Sequence, residues 1–517
     1  MSEYLLAAEA DRIQDLLFRS SQLREVVGGS QLLSRFCKET PSLLGKVLGI
    51  TPNVITSGGG SFRITFKTES DALRFGAALA EVYNRATGGT FSVAEPVPMT
   101  KGYGPTSKEA GQKLRQAKQR GPAVATLHIP YMAFCESCGI GLAEAHETRI
   151  PQEGEGHYLC SSCRAKAAER EVHSRGDFLK RFYDEIHSEI DWPPTPDDIA
   201  HYDPRNYVAY IVADGDSMGK VFEACDRDQA HALSKKMGKV LRGALAEPTR
   251  RFLKNAVAKR ARCIPVLPLI LGGDDLFALV PARWGLDFAR RLCQTFQGEM
   301  TQWARDHGIP CQITMSAAVV ICKANYPYYL AHQIGEKRLS ETKRVVKALA
   351  DKGSRFSAVD FEIVLGSQVA PEERAGSRRP TLRPYWVTGG QVPSKWGLSI
   401  NALLECRREL VGTPARRLSQ LREHFDRVPK EGDDSWWNEG LERILERIKR
   451  DWGREDKHPV QKVLEKLGGI KLEDWYELDR WNDQDLRYGH ALLDLLQAWD
   501  WTLDLDHPPI AYEGGER

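Results

Sequence analysis

The sequence predicts an α/β (α+β) protein in which one α/β unit occurs twice, a small cysteine-bearing insert joins the copies, and helices follow. Three observations predict it. The same strand, helix and hairpin pattern runs through residues 4–87 and again from 207 onward. Two Cys-x-x-Cys pairs lie between the repeats, at 135–138 and 160–163. Beyond about residue 385 the patterns are amphipathic and rich in tryptophan. With 517 residues, the chain is too long for one core.

Residues 1–127 read as the first unit. "YLLAAEA" is a strand, "DRIQDLLFRSSQLREVVGGSQLLSRFCKE" a helical stretch interrupted at Gly28 and Gly29, "NVITSGGGSFRITF" a hairpin, and "ESDALRFGAALAEVYNRATG" an amphipathic helix. Residues 128–200 are polar and irregular, carry the clustered cysteines, and close on the proline-rich linker "DWPPTPDD". Residues 201–365 repeat the first pattern: strand "YVAYIVA", a helix opening at "DSMGKVFEAC", the hairpin "LPLILGGDDLFALV", and then helix, strand and helix. Residues 366–517 open with the charged loop "VAPEERAGSRRPTLRPY" and continue as helices. Their tryptophans are expected to anchor a helical bundle, and "RAGSRRPTLRP" offers a basic loop to a phosphate backbone.

Composition narrows the class. Hydrophobic residues make up 42% and charged residues 27%, as in an ordinary globular protein. No segment has roughly 18 uncharged apolar residues in a row, so no membrane span is expected. The N-terminus carries acids early and lacks a small-residue cleavage site, so a cytoplasmic location is expected. The 72 basic and 70 acidic residues nearly cancel, which argues against a surface that grips nucleic acid throughout. Seven of the 11 cysteines are scattered singly and read as small apolar core residues.

The two units can be laid over one another. Tyr4 falls on Tyr207 and Asp11 on Asp214, while "GGGSFRITF" falls on "GGDDLFALV". Gly60 and Ser61 therefore stand where the second copy has Asp274 and Asp275, and the chemistry is expected in the second copy alone. Two adjacent acids within a regular strand would point to opposite faces, and one would be buried at high cost. At a hairpin tip after Gly272 and Gly273 both can approach one point, and the glycines leave room for a flat nucleotide. Asp214, at the carboxyl end of "YVAYIVAD", supplies a third carboxylate. Three convergent carboxylates can hold two Mg²⁺ or Mn²⁺ ions about 4 Å apart. Asp216 is expected to cap the next helix, and the backbone from Gly215 and Asp216 through Ser217, Met218, Gly219 and Lys220 to face a phosphate. The spacing in "GDSMGKV" is wrong for a Walker A loop.

Taken together, "VADGDSMGK", "LGGDDLFAL" and "KGSRFSAVDFEIVLGS" resemble the second palm domain of the large subunit of type III CRISPR effector complexes. "ADRIQDLLFRSSQLREVVGGSQLL" is similar to that family's first palm, where catalytic acids are also missing. The resemblance implies two ferredoxin-like palm domains of the nucleotide cyclase/polymerase type. It implies Asp214, Asp274 and Asp275 as metal ligands, Gly272 and Gly273 against the nucleotide, and Lys343 on the triphosphate. It also implies the activity: joining ATP into cyclic oligoadenylate within a complex of other effector subunits, guide RNA and target RNA. Many members carry an N-terminal nuclease with a His-Asp dyad. Here the chain begins at the palm and none of the 13 histidines precedes an aspartate, so DNA cleavage is not expected. Two other functions fit the residues: a scaffold that binds nucleotide without turnover, and a stand-alone diguanylate-type cyclase using GTP.

The pairs "CESC" (Cys135, Cys138) and "CSSC" (Cys160, Cys163), 21 residues apart, predict a closed tetrahedral Cys₄ zinc site. A segment this polar has no core of its own, so zinc would supply folding energy and no open coordination position for catalysis. His146 and His157 lie in the same segment and are expected at its surface.

Overall fold

The computed structural model describes residues 3–20, 23–120, 131–148, 156–172, 177–186, 195–254, 263–351, 355–365, 382–387, 397–413 and 491–507, with short pieces between 416 and 489. The first unit runs β1 (Tyr4–Asp11), α1 (Ile13–Phe18), α2 (Leu23–Leu48), β2 (Asn53–Gly58), β3 (Ser61–Phe66), α3 (Glu69–Thr87), β4 (Thr90–Val93), β5 (Val97–Pro98) and α4 (Tyr103–Arg120). Local chemistry sets the boundaries. Thr68 Oγ1 accepts from the Asp71 amide at 3.1 Å and starts α3, while Gly88, at φ 64°, ends it. The insert contributes β6 (Ala145–Thr148), β7 (Gly156–Leu159) and α5 (Ser161–Val172), followed by α6 (Asp177–Ile186) and α7 (Pro196–Ala200).

The second unit runs β8 (Tyr207–Gly215), α8 (Met218–Glu223), α9 (Arg227–Lys254), β9 (Leu267–Gly272), β10 (Asp275–Pro281), α10 (Gly285–Asp306), β11 (Met315–Lys323), α11 (Tyr328–Asp351) and β12 (Ser357–Ile363). Its central strand order, β9-β10-β8-β11, is that of β2-β3-β1-β4 in the first unit. The duplication read from the sequence is therefore present in the topology. β8 is apolar from Tyr207 to Ala213 because both faces are covered, and its antiparallel neighbours are β10 and β11.

One element departs from expectation. "YWV" at Tyr385–Val387, where the charged loop was expected to end and helices to begin, forms β13 and pairs antiparallel with β12. The open edge of β12 offers unpaired backbone groups, and three residues of high strand propensity take them. Trp386 and Tyr385 are fully buried there. Arg383 is likewise drawn inward: its Nε lies 3.1 Å from Asp494 Oδ1, so this arginine of the basic loop is an internal partner and not a phosphate ligand. Of the C-terminal helices, α12 (Ile400–Glu409) and α13 (Leu492–Gln497) are seen. The stretch "SWWNEGLERILERIKRDW" lies outside the described residues apart from Arg450. Trp501 packs as a core anchor, 5.1 Å from Tyr207 and beneath Arg205 at 4.6 Å. Six of the seven single cysteines are buried, as expected of core residues, and Cys311 is half-buried. Among the described residues, no helix is long and apolar enough to cross a membrane.

The two units meet crosswise. α2 of the first packs on β9 of the second, and α9 of the second packs on β2 of the first. Phe18 meets Phe277 edge-to-face at 5.5 Å, and His231 Nδ1 lies 2.9 Å from Ile55 O. α5 of the insert packs closely on α2, and the glycine at the crossing explains "VVGGS". A Cβ on Gly28 would stand 2.0 Å from Lys166 O, a backbone atom that cannot swing away. Gly28→Ala is therefore expected to destabilise the chain by about 1–3 kcal/mol and lower its melting temperature by several degrees. Differential scanning calorimetry would check this; unchanged melting would contradict the contact.

Candidate active site and four-cysteine centre

Asp214 is the penultimate residue of β8, and Asp275 begins β10, paired with Gly272 across the hairpin. The β8–β10 register pairs Ala213 with Leu276, so one residue further on Asp214 faces Asp275. Asp274 occupies the two-residue tip after Gly273, whose φ of 65° no side chain would tolerate well. The three carboxylates offer oxygens that all lie within 4.8 Å of one another. Gly215 makes this possible by packing: a Cβ there would meet Met218 Cγ at 2.6 Å and Asp274 Oδ2 at 3.0 Å. Gly272 and Gly273 would meet nothing within 4 Å, so their open faces look into the cleft.

The electrostatics fit a cation. Loss of hydration and the charges of Asp275 and Asp214 push Asp274 well above the usual carboxylate range. Asp275 faces the cleft, yet the surrounding protein and Asp214 raise it to about 7. A divalent ion would reverse both shifts by replacing repulsion with attraction. Metal affinity is accordingly expected to fall as pH drops below about 7, where protons compete for Asp275. Meanwhile Lys343 Nζ donates to Asp214 Oδ2 and, at 3.1 Å, to Gly215 O. The lysine assigned to a triphosphate thus reaches the triad itself.

Asp216 departs from the cap reading. Its carboxylate turns inward and accepts from Thr314 Oγ1 at 2.8 Å and Ser316 Oγ at 2.7 Å. Burial raises it to about 6. Its amide donates to Thr314 O at 2.9 Å and that of Lys220 to Ser217 O at 2.9 Å, so neither is turned to a phosphate. Ser217 takes the cap position at φ 55° without a side-chain cap bond, and Met218 is buried against Gly215. Asp216 ties the end of β8 to β11; a carboxylate with two hydroxyl donors at hand outcompetes a half-formed cap on a six-residue helix.

The first copy faces the triad across one cleft of about 1280 Å³ lined by both units, including Gly58, Gly59, Gly272 and Gly273. Its hairpin has been reset. Gly59 and Gly60 both have positive φ, 56° and 80°, so this tip has the backbone of a type I′ turn. A Cβ on Gly60 would also crowd Ile13 Cδ1 at 2.6 Å and Ala10 Cβ at 3.0 Å, so a side chain there would have to displace Ile13. Asp11 keeps the strand-end position of Asp214, but it accepts from Ser92 Oγ at 2.7 Å and lies 3.9 Å from Lys118 Nζ. Lys118 and Lys343 each stand 15 positions after the first residue of equivalent helices, α4 and α11.

Sequence reasoning missed His332, Glu336 and Lys118. On α11, His332, Glu336 and Lys343 follow at i, i+4 and i+11 and share one face, a spacing that would have found them. His332 lies between Phe18 and Phe277, 4.6 Å from each, and burial lowers it to about 4, so it is neutral.

The second centre forms as the spacing predicts. The sulfurs of Cys135, Cys138, Cys160 and Cys163 all lie within 4.8 Å of one another. Cys138 and Cys160 are 3.9 Å apart, and zinc at about 2.3 Å from each thiolate requires about 3.8 Å. Gly141 and Cys163 amides point at Cys138 and Cys160 sulfurs at 3.4 and 3.5 Å. Thiol donation from Cys160 and Cys163 pulls Cys138 far down, while Cys160, as donor, is pushed up to about 11. Four thiolates need a cation to coexist, and these residues fit zinc. His157 pairs with Glu136 at 2.7 Å and His146 packs at a tilt against Tyr158, 4.7 Å between ring centroids, both outside the ligand set. The centre is bolted to the first unit: Ser137 Oγ donates to buried Glu25 Oε2, Lys166 Nζ to Leu16 O, and Arg35 pairs with Glu169 at 2.9 Å.

Comparison with known proteins agrees with this architecture. Residues 207–350 match the family described as Cas10/Cmr2, second palm domain. Among solved structures, the chain resembles Csm1 of T. onnurineus at 16% identity and a TM-score of 0.57, covering 97% of this chain and 70% of that one. A Csm1–Csm4 cassette in complex with one ATP gives 15% and 0.56, and a cassette with cA4 gives 14% and 0.54, both again covering 97% of this chain and 70% of the other. No curated protein matches the chain by sequence.

Proposed function

We propose that this chain is the large subunit of an RNA-guided type III CRISPR effector and that its cleft joins ATP through 3′–5′ linkages into cyclic oligoadenylate. The observation that carries the reading is the triad in which Asp214 of β8 meets Asp274 and Asp275 of a hairpin tip, with an acid-free copy of that hairpin lining the same cleft. The three aspartates would hold two Mg²⁺ or Mn²⁺ ions, which, when bound, lower the pKa of an attacking 3′-hydroxyl and offset charge on the leaving pyrophosphate. Gly272 and Gly273 let a nucleotide lie on the hairpin backbone. Lys343, which reaches Asp214 and Gly215 O, would supply a positive charge for the triphosphate; Lys347 and Arg355 line a small pocket of about 150 Å³ beside it. The first unit's hairpin offers a wall without acids against which a second nucleotide can rest. Asp216 acts through position, fixing the strand end that carries Asp214. The cysteine centre is assigned to structural zinc; the partners are a Csm4-like subunit, as in the relatives' cassettes, together with the guide RNA and target RNA that the family resemblance implies.

Incubating the full chain, its partner subunits and activating RNA with ATP, GTP or both, then identifying products by mass spectrometry, tests the reading. Cyclic 3′–5′ oligoadenylate is expected. Intact ATP with every component present would favour a non-catalytic scaffold, and a cyclic dinucleotide from GTP a diguanylate-type cyclase. Lys343→Met is expected to lower kcat/KM for ATP by about 10- to 100-fold, since it removes both the hold on Asp214 and a charge-assisted phosphate contact. Initial rates across ATP concentrations measure this.

A further inference from the structure

We propose that α11 is a lever, held at its start by a buried joint at Ser20 and carrying Lys343 on its other arm. Both units and the four-cysteine insert meet at that joint, and Tyr328 and Ser137 act there as positioning residues for Lys343. The proposal rests on the cyclase reading for the reaction that the lever serves.

Ser20 follows α1 and is 2% exposed. Three parts of the chain bond at this point. From the second unit, Tyr328 in the first turn of α11 donates its hydroxyl to the Ser20 carbonyl. From the first unit, Glu25 Oε2 accepts from Ser20 Oγ at 2.5 Å. From the insert, Ser137 donates to the same Glu25 oxygen and stands 3.0 Å from Ser20 Oγ. Ser137 lies inside the first Cys-x-x-Cys knuckle, beside Cys138, so the sulfur centre fixes where its hydroxyl points. Glu25 is buried, and a buried carboxylate is costly without donors, which ties both hydroxyls to it.

The helix that Tyr328 begins moves as one body. α11 runs unbroken from Tyr328 to Asp351. At Gly335 it lies so close to β8 that a Cβ would stand 2.4 Å from Val212 Cγ2, and this contact is the fulcrum. Tyr328 lies seven residues before it and Lys343 eight after it, arms of about 10 and 12 Å at about 1.5 Å per residue. A shift at Tyr328 is therefore returned at Lys343 at nearly full size. Phe18, 6.0 Å from Tyr328 and 4.6 Å from His332, keeps the near arm against the first unit. Apolar contact of that kind has no direction, and the Tyr328 hydroxyl supplies one. On the other arm Lys343 donates to Asp214 Oδ2 and Gly215 O.

Lys343 competes with cations for Asp214. Freeing the near arm should open the triad to metal and at the same time withdraw the charge offered to the triphosphate. A lesion that only loosened the fold would weaken both.

The test uses the zinc-loaded full chain, with Mn²⁺ binding read by electron paramagnetic resonance without ATP and Asp274→Ala/Asp275→Ala as the background. Tyr328→Phe removes one oxygen and keeps the ring. It should bind Mn²⁺ about three- to tenfold more tightly. With partner subunits and activating RNA, its kcat/KM for ATP should fall by about five- to twentyfold. Tyr329→Phe, the same change on an exposed neighbour, should alter neither. Ser137→Ala, with zinc retained, should shift Mn²⁺ affinity in the same direction. The double variant should exceed Tyr328→Phe by less than about twofold, because both residues act through Ser20. If Ser137→Ala melts early or loses zinc, Glu25→Gln takes its place, keeping the shape and removing the charge. Mn²⁺ affinity unchanged or weakened in Tyr328→Phe would overturn the lever, and fully additive effects would overturn the shared joint. If the unaltered chain makes no oligoadenylate yet the Mn²⁺ shifts hold, the cyclase reading falls and the lever stands.

Discussion

Asp274→Ala/Asp275→Ala is expected to make no detectable oligoadenylate, a loss of at least about 10³-fold, while melting at the same temperature as the unaltered chain or a few degrees above it. The loss follows because two of the three carboxylates that converge within 4.8 Å are gone and Asp214 alone cannot hold a pair of cations. The gain in stability follows from the same geometry. Without metal, Asp274 is pushed far above its usual range by lost hydration and by its neighbours, so the folded state bears the cost of crowding these groups. Alanine removes that cost. Mass spectrometry of products, with calorimetry in EDTA, reads both halves at once. Retained synthesis would sink the metal-site reading, and a large fall in melting temperature would show that the acids are structural.

The second large effect concerns the cysteine centre. Cys138→Ser/Cys160→Ser is expected to release one equivalent of zinc and unfold the insert, since structural zinc in small domains contributes roughly 10–16 kcal/mol. The damage should spread. Ser137 is bonded to Glu25, and Lys166 to Leu16, so the first unit's α1–α2 region loses partners when the insert opens. Limited proteolysis should cut first between residues 131 and 172, and metal analysis should show the missing zinc. A chain that keeps its melting temperature without bound metal would refute the assignment.

Much of this was legible in the sequence because it depends on local spacing. Two C-x-x-C knuckles specify four convergent sulfurs whatever surrounds them. An apolar run ended by aspartate and a Gly-Gly-Asp-Asp tip specify strand ends, and the offset that lays Asp11 on Asp214 anticipates two sheets of equal strand order. Where local preference had competitors, sequence reading failed. Asp216 is a good cap by propensity, but Thr314 and Ser316, about 100 residues away, offer better donors. Tyr385–Val387 straddled the expected loop and helices, and the free edge of β12 made it a strand instead.

What the sequence determined by itself, then, is which copy keeps acids and which segment brings four cysteines together, because both are written in the identity and spacing of a few neighbouring residues. Only the tertiary structure decided that the two hairpins wall one cleft and that Lys343 reaches Asp214. Those facts depend on crosswise packing of α2 on β9 and α9 on β2, contacts between residues some 200 positions apart. No local pattern encodes them, because they arise only when two separately folded sheets bury their apolar faces together.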